Sequence, residues 1–165
     1  MISKRGSTRY QVARRRECSL CIITFKNLDW KECVATLIDI SREGVGVESN
    51  SRLEPGFVWF RDRLGGFRGG VVMWTRQEER KHRAGIRFVP LSHTEEQFIH
   101  EQVALMRSRD HMSEPQAVMA TIMESFTRTC AHHTEPEALQ GSIDPHAVST
   151  EDDIVGQLRS MIAEL

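Results

Sequence analysis

Glu32-Cys-Val-Ala-Thr-Leu-Ile-Asp-Ile40-Ser-Arg-Glu-Gly44-Val-Gly-Val-Glu-Ser49 reads as one β-hairpin. Its first arm is built from apolar and β-branched residues. Strict alternation puts Cys33, Ala35, Leu37 and Asp39 on one face and Val34, Thr36, Ile38 and Ile40 on the other. Ser41-Arg-Glu-Gly44 is a tight turn. Val45, Val47 and Ser49 then alternate with Gly46, Glu48 and Asn50 in the returning strand.

Short strands continue on both sides of this hairpin. Upstream, Cys18-Ser-Leu-Cys-Ile-Ile-Thr-Phe25 is strand-like and ends in the turn Asn27-Leu-Asp29. Downstream, Pro55-Gly56 turns the chain into a strand at Phe57–Phe60. Gly65-Gly-Phe-Arg-Gly-Gly70 supplies another turn. Gly70–Arg76 and Ala84–Val89 follow as two more strands, joined by the charged stretch 77–83. Six short strands with turn residues between them predict a mainly β fold, a small antiparallel barrel. The texture changes at Pro90. Ser92-His-Thr-Glu95 fits a capping box, and Ile99, Val103 and Met106 then share a helical face. Ser113-Glu-Pro-Gln116 opens a second helix. The expected organisation is a basic arm at 1–16, a barrel at 17–91 and a helical extension at 92–130. A linker follows at 131–149, then an amphipathic helix at 150–165 with Ile154, Leu158, Met161 and Leu165 as its stripe. No internal repeat is visible.

The net charge of −1 conceals a division. Residues 1–91 hold 18 of the 22 Lys and Arg and 10 of the 23 Asp and Glu, a balance of +8. Residues 92–165 carry −9. The first part would attract an anionic ligand and the second would repel one. Residues 1–16 contain six cations and no acid. No apolar run approaches the roughly 20 residues that cross a bilayer, and none follows the basic N-terminus as a signal peptide would require. Four cysteines fit a reduced compartment, so a cytoplasmic location is the expectation. Catalytic and metal patterns fail on inspection. Cys18-x-x-Cys21 has no second ligand pair. His100-Glu101 is not followed by histidine at 104. The glycines at 65–70 lack a P-loop ending, and no G-x-S-x-G elbow occurs. Trp59 and Trp74 are expected in the core.

Two motifs remain. Arg5-Gly-Ser-Thr-Arg9 is an RxxxR in the basic arm, and Asp39-Ile-Ser-Arg-Glu-Gly44 is a DxSxxG at a strand end. In this order and at this separation, the pair resembles the PilZ family. Gly44-Val-Gly-Val-Glu-Ser49, Val71-Val-Met-Trp74 and Gly85-Ile-Arg-Phe88 match the strands of that family, and the similarity spans about residues 4–106. The resemblance implies a six-stranded barrel followed by helices, and a bacterial second-messenger receptor that is not an enzyme. It implies cyclic di-GMP as ligand, no cofactor, and Arg5, Arg9, Asp39, Ser41 and Gly44 as the residues that bind it.

The chemistry is compatible. Arginine's planar fork suits phosphate oxygens and the guanine O6/N7 edge, and its face stacks on a purine. Asp39 can accept from guanine N–H groups or from a positioning arginine. Ser41 adds a hydroxyl, and Gly44 allows a turn and a close approach. Arg14, Arg15 and Arg16 would add positive field. The helices would carry the signal to a protein partner or to a second copy, with no membrane involved. Two other readings stay open: a small barrel that binds nucleic acid, and a PilZ-like adaptor that works by protein contact alone.

Overall fold

The computed structural model describes residues 8–109 and 111–133. Arg5, most of the linker at 131–149 and the amphipathic helix at 150–165 lie outside the described residues. The chain divides into two units after Phe88.

The first unit is a closed barrel of six strands, in the order β1-β2-β3-β6-β5-β4. They are β1 (Tyr10–Thr24), β2 (Trp30–Ile40), β3 (Gly44–Ser49), β4 (Gly56–Leu64), β5 (Phe67–Glu78) and β6 (Lys81–Val89). The pairings along β1, β2, β3 and β6, and those of β4 with β1 and β5, are antiparallel. This is the predicted fold class, with β1, β4, β5 and β6 each longer by three residues or more than the sequence signal and β2 by two. Alternation sends Leu20, Ile22, Leu37, Val45, Val47 and Val58 into one core together with Phe60, Ile86 and Phe88. Phe88 packs edge-on against Phe60 at 6.0 Å and stacks on Phe67 at 4.5 Å. Each fully buried side chain of this size contributes about 1.5–3 kcal/mol, so the barrel interior is the main source of this unit's stability.

One boundary differs from the sequence reading. The arm expected at 1–16 is strand from Tyr10 onward. Tyr10 pairs with Ile40 and Gln11 with Asp39; the next registered pair is Arg16 with Leu37. Five steps along β1 thus match two along β2, so β1 carries a wide bulge of three extra residues. Val12 packs against the core and anchors this stretch. The run Ala13–Arg16 hides the strand in the sequence because it has no alternation.

The second unit contains α1 (His93–Arg109) and α2 (Pro115–His133), so α2 runs into the first residues of the expected linker. The capping box forms as predicted: Ser92 N–H donates to Glu95 Oε1 at 2.9 Å, and Glu95 N–H donates to Ser92 Oγ at 3.2 Å. Glu95 also accepts twice from Arg128 Nη2, at 2.7 Å to each oxygen, which ties the start of α1 to α2. Burial raises the pKa of Glu95, but the Ser92 backbone hydrogen bond and Arg128 outweigh it and hold the carboxyl below its usual range. Gln102 is buried and caps α2 from across the pair. Its Oε1 accepts from Glu114 N–H at 3.2 Å, and its Nε2 donates to Ser113 Oγ at 3.0 Å. No helix among the described residues is long and apolar enough to cross a membrane.

Candidate functional site

Asp39 does not lie where strict alternation puts it. Along β2, Leu37 pairs with Val47 and Asp39 pairs with Gly46. Two residues of β2 therefore span one of β3, which is a bulge at Ile38. Leu37 and Ile40 both turn toward the core. Asp39 turns to the outer face, where its carboxylate lies over Gly46. A Cβ at Gly46 would come within 2.7 Å of Asp39 Oδ1. The predicted face shared by Asp39 with Ala35 and Leu37 is thus corrected, and the extra residue is the cause.

Arg9 comes to the same place from the start of β1. Its Nη1 donates to Asp39 Oδ1 at 3.3 Å, with Asp39 more sheltered than Arg9. Of the two roles open to Asp39, holding an arginine is the one seen. Ser41 and Gly44 build the adjoining turn. Ser41 N–H donates to the Gly44 carbonyl at 2.8 Å. Ser41 Oγ accepts from the N–H groups of Glu43 and Gly44, both at 3.2 Å. The Ser41 hydroxyl is therefore engaged in shaping the turn that ends β2. Gly44 has no positive φ. A Cβ there would overlap the Ile86 carbonyl, so this glycine lets β3 and β6 approach each other. Arg9 and Asp39 thus meet, Ser41 and Gly44 frame them, and Arg5 is outside the described residues.

The structure adds residues that sequence reasoning missed. Gly46 pairs with Gly85 in β6. A Cβ at Gly85 would overlap Trp74 Nε1, so the Trp74 indole lies directly over Gly85. Trp74 was expected in the core with Trp59. Trp59 is buried, but Trp74 sits partly exposed on the outside of the barrel. Asp39 and Trp74 therefore flank a floor of two glycines on a single outer face. Glycines at matching points of two central strands were the available clue, since a strand glycine often marks a close approach.

Cations edge this floor. The Arg76 guanidinium stands 5.8 Å from the Trp74 ring centroid. Glu78 pairs with Arg76 and also with Arg83, the latter at 3.8 Å. Lys81 pairs with Glu48 at 3.1 Å. The β1 bulge brings Arg15 over to this side, where it lines a hollow with Glu48, Glu78, Glu79, Arg80 and Lys81.

The cysteines are elsewhere. Cys18 and Cys33 pack against the barrel core and are free thiols. Burial, then the neighbouring Cys33, push the Cys18 thiol up to about 11, and burial raises Cys33 as well. A thiol with so high a pKa is a poor nucleophile near neutral pH. Among the described residues no cluster of three or more His, Cys, Asp or Glu could hold a metal ion.

The barrel thus carries an arginine and an aspartate that meet beside a serine–glycine turn. The family model described as PilZ domain matches residues 5–105, and the chain belongs to that family. No curated protein matches it.

Proposed function

We propose that this protein is a cytoplasmic cyclic di-GMP receptor, not an enzyme, and that its ligand lies on the outer face of β2, β3, β6 and β5. The observation that carries this reading is the Arg9–Asp39 pair standing over the glycine floor opposite Trp74. Arg9 and Arg5 supply cations for phosphate and for the guanine edge. Trp74 offers a flat surface for a base, and Arg76 beside it adds charge. The turn made by Ser41 and Gly44 fixes where Asp39 stands. Ligand binding is read out by a protein partner or a second copy of the chain through the region beyond the barrel.

Nucleic acid is the rival ligand. The outer face mixes cations with Glu48 and Glu78, a poor lining for a long polyanion. Tryptophan fluorescence titrated with cyclic di-GMP and with a single-stranded oligonucleotide, each at two salt concentrations, distinguishes them. The proposal predicts saturation by the dinucleotide and loss of most of the response in Trp74→Phe. Tighter binding to longer oligonucleotides, falling steeply with salt, would favour the rival.

A further inference from the structure

Two arginines face each other beside the glycine floor. β5 ends at Glu78 and β6 begins at Lys81, and the two strands are neighbours in the barrel. A two-residue hairpin loop fixes the register. It sets Arg76 across from Arg83 and Trp74 across from Gly85. The Trp74 indole lying over Gly85 agrees with that register. Side chains two residues apart on a strand share a face. Arg83 therefore leaves β6 on the same outer face as Gly85, and Arg76 leaves β5 on the same face as Trp74.

Like charges directly opposed on neighbouring strands destabilise the pairing. Glu78 offsets this. Its Oε1 accepts from Arg76 Nη2, and its Oε2 lies 3.8 Å from Arg83 Nη1. Each oxygen of one carboxylate thus faces one guanidinium. All three side chains keep contact with solvent, so these ion pairs contribute little net stability and can be exchanged. A phosphate offers the same partners, oxygens that carry negative charge, and arginine binds it by the same fork. Arg9 stands with Asp39 of β2 at the other side of the floor. Strand β2 is two spacings, about 10 Å, from β6. A cyclic dinucleotide carries its two phosphates on opposite sides of its ring.

We propose that Arg76 and Arg83 together hold the second phosphate of the dinucleotide, and that Glu78 keeps their place until that phosphate displaces it. This rests on the cyclic di-GMP reading and deepens it: Arg9 serves one phosphate from the β2 side, and the arginine pair serves the other. Glu78 is then an internal competitor of the ligand. The sign of its effect separates this role from a structural one. If Glu78 only aimed the arginines, its removal would weaken binding; as a competitor, its removal strengthens it.

The test is calorimetric titration of the full chain with cyclic di-GMP, comparing native protein with Glu78→Gln, Glu79→Gln, Arg83→Gln and the Glu78→Gln, Arg83→Gln double variant. Arg83→Gln is expected to weaken binding by about ten-fold or more, the range of a hydrogen bond to a charged group. Glu78→Gln is expected to tighten it by about two- to five-fold, the range of an exposed ion pair. Glu79 lines the same hollow, but its carboxylate makes no ion pair among the described residues. Glu79→Gln removes the same charge and is expected to change affinity less. The gain from Glu78→Gln is expected to shrink in the Arg83→Gln background, where one of the two cations is gone. Three results would each overturn the proposal and leave the receptor reading in place: native affinity in Arg83→Gln, equal or weaker binding in Glu78→Gln, or an equal gain in Glu79→Gln. If Arg83→Gln does not fold, the Glu78 and Glu79 variants decide alone. If the native protein does not bind cyclic di-GMP, both readings fall together.

Discussion

Asp39 and Leu37 are two residues apart in β2, while their β3 partners, Gly46 and Val47, are adjacent. That single extra residue turns a carboxylate from the core side to the outside. The DxSxxG motif was readable in the sequence, and so was the strand that carries it. The face was not, because periodicity has no way to register a bulge whose cause is pairing with another strand. Trp74 was misassigned for a related reason. Its place depends on Gly85 of the neighbouring strand leaving room for an indole. Two expectations belong at this scale. Asp39→Ala should weaken cyclic di-GMP binding by about 1.5–3 kcal/mol, the value of a charge-assisted hydrogen bond. It should barely move the melting temperature, because a partly exposed ion pair is worth about 0–1 kcal/mol. Gly46→Ala should weaken binding at least as much, since the added methyl displaces the Asp39 carboxylate. Binding by Gly46→Ala equal to that of the native chain would mean that the carboxylate's position is immaterial.

At the level of elements, the six strands and the capping box were readable because their signals are local: alternation, turn residues, and a Ser three residues before a Glu. The start of β1 was not, since Ala13–Arg16 bulges away from β2 and follows no period. The β5–β6 turn shows local strain of another kind. Glu79 takes φ 54, a left-handed conformation that costs a side chain about 1–2 kcal/mol. Glycine adopts it freely, though it gives back part of the gain as unfolded-state entropy. Glu79→Gly should therefore stabilise the barrel by a few tenths to about 1 kcal/mol, measured as a rise in the urea midpoint. A fall would show that this turn is not strained. The link between α1 and α2 carries a pH dependence. Contacts with Ser92 and Arg128 depress the Glu95 carboxyl from its ordinary 4.5. The stabilisation is complete above that value and fades as pH falls through the depressed one. Arg128→Ala should accordingly lower the urea midpoint at neutral pH, and its difference from the native chain should shrink as pH falls below 4.5 and the Glu95 carboxyl protonates. A difference that is constant with pH would assign Arg128 a role other than pairing with Glu95.

Over the whole molecule, the charge division matches the division into two units. The barrel with its proposed ligand face belongs to the part that carries +8 and the helices to the part that carries −9. The PilZ match ends at residue 105, and the proposed site residues all lie before it. A chain ending at His133 should bind cyclic di-GMP within a few-fold of the full protein. A large loss of affinity on truncation would place part of the site in the removed segment. The central claim is that Arg9 and Asp39 form a dinucleotide site, and calorimetric titration with cyclic di-GMP tests it most directly. Native protein, Arg9→Ala and Asp39→Ala would be compared, with GTP and cyclic di-AMP as controls. The account predicts saturable binding of cyclic di-GMP at a fixed stoichiometry, weaker or absent binding of both controls, and a loss of about one to two decades in each variant. Absence of saturable binding by the native chain, or native affinity in both variants, would contradict it.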